Sequence, residues 1–145
     1  MLTNISLEEA QKILFTNSPL METEKSNLGA TLDRVLGEDI QALENMPPFA
    51  RSPYDGYAFR AEDTLEASRS NPAHLEIIEE IPAGYAPKKK ITPGKAAKIL
   101  TGAPIPYGAN AVIKYEDTEL KDNGVLIFQS FKPGENVAPA GEDVK

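Results

Sequence analysis

Residues 52–60 read Ser52-Pro53-Tyr54-Asp55-Gly56-Tyr57-Ala58-Phe59-Arg60, an acidic residue beside a glycine between a proline-rich approach and an apolar, strand-like run. A plain core strand has no use for that carboxylate. Asp followed by Gly suits a tight turn whose backbone passes close to a ligand, because Gly lacks Cβ and tolerates positive φ. Asp-Gly is equally an ordinary turn signal, and this stretch taken alone favours the plainer turn.

Two further stretches shift the balance. Lys98 to Ile113 enters as a strand, opens into Thr101-Gly102-Ala103-Pro104-Ile105-Pro106, and returns to an apolar run; Gly134 to Val144 ends in Gly141-Glu142-Asp143. In this order the three stretches resemble the N-terminal region of the MoeA/gephyrin family, the molybdopterin molybdenumtransferases, and the resemblance extends from the first helix to Lys145. It implies a mixed α+β, mostly β architecture. A β-rich unit, residues 47–131, is expected to be inserted into a small helix-containing unit made of residues 1–46 and 132–145, with the family's larger α/β catalytic domain lying beyond this chain.

Composition bounds the rest. The 145 residues are 41% hydrophobic with 12 Pro and 10 Gly, as expected of one globular domain rich in turns that buries roughly two-thirds of its unfolded surface. A net charge of −7 with only Lys88-Lys89-Lys90 as a basic run argues against nucleic acid as a partner; the lysine run reads as a solvated loop. The sequence has no Cys and one His, His74, so thiolate chemistry, Cys zinc sites, Ser-His triads and multi-His metal sites cannot be built within this chain. The first residues lack a signal-peptide pattern and no run approaches about 18 apolar residues, so the expectation is a cytoplasmic protein without a membrane partner.

Local patterns place the motifs. Ser6-Leu7-Glu8-Glu9 has capping-box spacing and starts a helix over Ser6 to Phe15. Leu28 to Leu36 predicts a second, shorter helix stopped by Gly37, and Glu38 to Leu43 reads as extended. Met46-Pro47-Pro48-Phe49 marks a crossing between units. Strands are expected at 56–61, 75–79, 96–100, 111–116, 119–121 and 125–131, with Asp122-Asn123-Gly124 as a hairpin signal between the last two.

Asp55 is a carboxylate and repels molybdate and phosphate, so its chemistry is acceptance of pterin N–H groups or retention of Mg²⁺ bridging to substrate oxygens. Thr101 offers a hydroxyl and Gly102 an amide suited to an anionic oxygen, although a turn ended by Pro104 explains the same residues. The resemblance places Asp55 and Thr101 as the catalytic residues. It adds Ser52, Gly56, Gly102, Glu142 and Asp143 as cofactor-binding positions, with Glu142 and Asp143 serving equally well as turn or capping residues, and assigns no residue to a metal. Glu116 stands at a commonly acidic position, with a cross-strand structural role as the plainer reading.

The activity implied is insertion of molybdate into adenylylated molybdopterin with release of AMP, assisted by Mg²⁺, in a cytoplasmic homodimer whose cleft forms across subunits. The fragment alone would then be inactive. Four departures stand out: Pro53-Tyr54 for the usual Ala-Met, Asp33 for a frequent Gly, Asn110 for a frequent Asp, and Ala138 where a basic residue is common. They leave a second class of function in view, a non-catalytic scaffold or pterin-binding paralogue with the same fold.

Overall fold

The structure is a computed structural model that describes residues 4–145. Contacts divide it into two compact units, Met1–Gln41 and Ala42–Lys145.

The first unit contains α1, Leu7–Asn17. Its start is fixed reciprocally: Ser6 Oγ accepts the Glu9 amide at 3.2 Å while Glu9 Oε2 accepts the Ser6 amide at 3.0 Å, the two-way satisfaction of orphan helix donors that the spacing predicts. The second predicted helix is reduced to one 3₁₀ turn, Leu28–Ala30. The sequence explains the loss: Gly29 weakens the helix, the Thr31 hydroxyl donates to Leu28 O at 2.6 Å, and Asp33 adopts φ 63°. A left-handed residue ends any right-handed helix, and Asp tolerates that conformation better than most residues, which accounts for its presence where Gly is frequent. No regular strand forms over 38–43.

The second unit is built on one six-stranded sheet. Its strands are β1 (Gly56–Phe59), β2 (Ala73–Ile81), β3 (Lys95–Ile99), β4 (Ala111–Lys114), β5 (Thr118–Lys121) and β6 (Gly124–Ile127). Their order across the sheet is β4-β1-β3-β2-β6-β5. All pairs are antiparallel except β2 with β3, which residues 82–94 connect. The predicted strand at 56–61 stops at Phe59, that at 111–116 at Lys114 and that at 125–131 at Ile127; short 3₁₀ turns follow β1 and β4. The hairpin turns through Asp122 and Asn123, since Lys121 pairs with Gly124, and Asp122 takes φ 53°.

Alternation along the strands sends side chains to two cores, one on each face. Tyr57, Phe59, Leu75, Ala96, Ile113, Val125, Ile127 and Phe131 fill one, with Phe59 and Phe131 edge-to-face at 5.2 Å between ring centres. Ala58, Ile81, Ile91, Ala97, Ile99, Ala103 and Val112 fill the other. β1 lies between β4 and β3 and all four of its residues are buried. The lysine run is a solvated loop, as expected, and is anchored to β2: Glu79 accepts the Lys88 and Lys89 amides at 2.9 and 2.8 Å, and Lys89 Nζ reaches Ile78 O at 2.6 Å.

Residues 132–145 lie within the sheet-bearing unit. They exchange hydrogen bonds with Met46, Pro47, Arg51, Asn110 and Val112. By contacts, residues 132–145 are grouped with the sheet in Ala42–Lys145.

Candidate functional site

Asp55 immediately precedes β1, and Thr101 lies two residues beyond the end of β3. Antiparallel pairing of Gly56 with Ile99 brings these two strand ends together across 46 positions of sequence. One carboxylate oxygen, Asp55 Oδ1, accepts both the Thr101 amide and the Thr101 hydroxyl, each at 2.7 Å. The amide first and the hydroxyl second hold the Asp55 carboxyl below its ordinary range, opposed by slight desolvation, since both donors favour the ionised form. Oδ2 makes no protein hydrogen bond among the described residues and is the site's open acceptor.

This arrangement revises the donors expected of the Thr-Gly pair. The Thr101 hydroxyl and amide are committed to Asp55, and the Gly102 amide donates to Ser52 O at 2.8 Å. Gly102 therefore braces the loop rather than offering a free amide to an anion. Ser52 is completely buried; its hydroxyl donates to Tyr54 O at 2.5 Å and lies 3.3 Å from the Tyr54 amide, folding the Ser52–Tyr54 turn that presents Asp55.

Gly56 also has a structural reason. A Cβ there would lie 1.8 Å from Ile113 O, so Gly56 permits β1 to approach β4. Glu142, on the C-terminal segment, lines a cavity of about 280 Å³ with Pro53, Tyr54, Asn136, Val137 and Ala138, which puts it beside the Asp55 turn. Asp143 is exposed and outside that lining; its amide donates to Met46 O at 2.9 Å. Glu116 sits in the exposed 3₁₀ turn after β4, not in a cross-strand pair.

Several neighbours were not legible in the motifs. Lys114 pairs with Gly56 in the β1–β4 register and its ammonium lies 4.2 Å from the centre of the Tyr54 ring, a cation–π contact. The Tyr115 amide approaches Asp55 O at 3.3 Å. The Tyr115 ring meets Tyr57 edge-on at 5.2 Å, and its buried hydroxyl has no partner among the described residues. Burial, with the nearby Tyr57, Asp55 and Glu80 adding to it, pushes the Tyr115 phenol up to about 12.

Two departures acquire reasons. Asn110 Oδ1 accepts the Ala61 amide at 2.7 Å while its Nδ2 donates to Glu62 at 3.0 Å; an aspartate has no donor for the second bond. Ala138 is buried and exchanges backbone hydrogen bonds with Arg51 at 2.9 and 3.0 Å, so a small side chain suits the position.

With this fold and site, residues 5–145 match the family described as MoeA N-terminal region (domain I and II). The chain belongs to that family. Among similar proteins is the molybdopterin molybdenumtransferase of Bacillus subtilis (strain 168), 42% identical over 147 residues, covering 99% of this chain and 34% of the relative. That of Nostoc sp. (strain PCC 7120) is 38% identical, covering 91% and 31%. The crystal structure of the molybdopterin biosynthesis moeA protein from Pyrococcus horikoshii OT3 superposes with a TM-score of 0.85 at 46% identity, over 95% of this chain and 36% of that one. The chain thus spans about a third of the length of the relatives it matches. Among the described residues no helix is long and apolar enough to cross a membrane.

Proposed function

We propose that the chain is the N-terminal part of a molybdopterin molybdenumtransferase, inserting molybdate into adenylylated molybdopterin with release of AMP. The observation that carries this is the Asp55–Thr101 pair, in which two donors fix one oxygen of an exposed carboxylate and leave the other open. A merely turn-forming Asp bonds its own loop; this one is held by a residue 46 positions away.

Asp55 is the acceptor for pterin N–H groups or for Mg²⁺. No group of three carboxylate or His side chains suited to a metal occurs among the described residues. The open Asp55 Oδ2 suits a cation that takes one carboxylate and completes its shell with water and substrate phosphates, as Mg²⁺ does. There Mg²⁺ would supply charge neutralisation at those phosphates. Tyr54, held by Lys114, and Glu142 form the adjoining wall. The same reading implies a cytoplasmic homodimer with the cleft completed by the larger domain, residues 1–46 joining 132–145 in the complete protein, and no turnover by residues 1–145 alone.

The test is Asp55→Asn in the complete protein. AMP release should fall sharply while the melting temperature holds, because an amide is a weak Mg²⁺ ligand and loses the paired acceptor geometry. Normal turnover, or turnover lost only in step with unfolding, would defeat the assignment and favour a scaffold.

A further inference from the structure

At the opposite end of β1 from Asp55, roughly 13 Å along the strand, a second cavity of about 460 Å³ is lined by Arg60, Lys90–Pro93 and Tyr107–Asn110. Its walls are fixed by backbone. Ile91 N donates to Tyr107 O at 2.9 Å, and Gly108, at φ 92°, lies so close that a Cβ would sit 2.2 Å from Ile91 O. Only glycine allows the two loops to cross there.

The charge placed at this cavity is unusual for a protein of net −7. Lys90 Nζ lies 4.8 Å from the Tyr107 ring centre and has no carboxylate partner among the described residues. Arg60 meets Glu62 only at Nε, at 3.7 Å, which leaves its terminal nitrogens unpaired among the described residues. The neighbouring carboxylates are themselves engaged: Glu62 accepts Asn110 Nδ2 at 3.0 Å and Asp63 accepts the Gly94 amide at 3.0 Å. The Thr92 and Tyr107 hydroxyls add two donors without protein partners among the described residues, while Pro93 and Ala109 supply apolar wall. The volume lies in the range of small-molecule sites.

We infer that this cavity binds a phosphate monoester carried on a flat apolar body. Lys90 and the free edge of the Arg60 guanidinium attract an anion despite the nearby Glu62 carboxylate, and guanidinium, ammonium and two hydroxyls offer more donors than a carboxylate can use. The Tyr107 ring and the apolar wall receive the body.

The ¹H–¹⁵N spectrum of the 145-residue chain, titrated with phenyl phosphate, inorganic phosphate and phenol, tests this. Phenyl phosphate should shift the amides of Ile91, Thr92 and Tyr107 to Ala109 saturably and bind about tenfold or more tightly than either fragment. Arg60→Gln and Lys90→Gln should each weaken it about tenfold, with spectra otherwise unchanged. Should Arg60→Gln fail to fold, Lys90→Gln decides. Absence of saturable shifts at these amides, equal affinity for phenyl and inorganic phosphate, or undiminished binding in the variants would overturn the inference.

Discussion

Substituting Gly56→Ala tests how the site is assembled. The new methyl would lie 1.8 Å from Ile113 O, 2.8 Å from the Ile113 carbonyl carbon and 3.1 Å from Lys114 Cα. All three are backbone atoms, so no side-chain rotation relieves the contact. An ordinary carbon contact of about 3.5 Å requires β1 and β4 to part by about 1.5 Å, a third of the normal strand spacing. That stretches ladder hydrogen bonds past useful length. Overpacking costs about 1–3 kcal/mol and each weakened hydrogen bond about 1 kcal/mol, for a total of roughly 3 kcal/mol. For a unit the size of 42–145, this lowers the melting temperature by about 12 °C or more. Circular dichroism melts of the 145-residue chain measure it, with Gly29→Ala, which meets no atom within 4 Å, as the control. A Gly56→Ala melt within about 3 °C of the parent would refute the close-approach argument and leave this glycine a ligand-facing role alone.

Two further outcomes are expected. Thr101→Val removes the hydroxyl donor but keeps the amide, so the Asp55 carboxyl should rise part of the way toward its ordinary value in a carbon-detected NMR titration. Because a depressed carboxyl stabilises above its unfolded pKa and loses that contribution as pH falls through the folded one, acid unfolding should begin at a higher pH in the variant. An unchanged Asp55 titration would mean that the hydroxyl bond is absent in solution. For Tyr115→Phe, deleting a buried hydroxyl that has no partner among the described residues should leave the melting temperature unchanged or raise it, since no hydrogen bond is lost. In the parent, ultraviolet titration should show a late phenol at about 12, with its stabilisation complete below pH about 10 and lost as pH climbs through that value. Marked destabilisation by Phe would reveal a partner for the hydroxyl.

Local chemistry carried part of the fold into the sequence. The Ser6/Glu9 spacing, the Asp122-Asn123 turn and the apolar runs each state their structure within a few residues, where hydrogen-bond and burial demands are local. Leu28 to Leu36 misled because its apolar period is helical while Gly29, Thr31 and Asp33 favour turns, and without a burying surface the local preferences win. The Asp55 and Thr101 motifs were legible, but their bond was not. It depends on the β1–β3 register, which no pattern within either segment encodes. The same holds for Lys114 over Tyr54, a pair set by β4 lying against β1, and for the engagement of the Gly102 amide by Ser52 O. The parallel β2–β3 pairing was equally hidden, since a crossover through residues 82–94 looks like any other loop.

The manner in which the C-terminal segment meets β4 has a bearing on how this chain behaves in a test tube. Val112, at the sheet margin, gives its amide to Glu135 O at 3.2 Å and receives Asn136 Nδ2 on its carbonyl at 2.9 Å, while Gly134 N reaches Asn110 O at 2.7 Å. These bonds blunt a flat apolar border that would otherwise template a neighbour's strand. The opposite border, β5, is short and carries Glu119 and Lys121, protection of another kind. Any protein shortened to end before Gly134 would thus retain its strands yet offer β4 bare, and would be prone to oligomerise edge to edge; residues 134–136 serve solubility as much as shape.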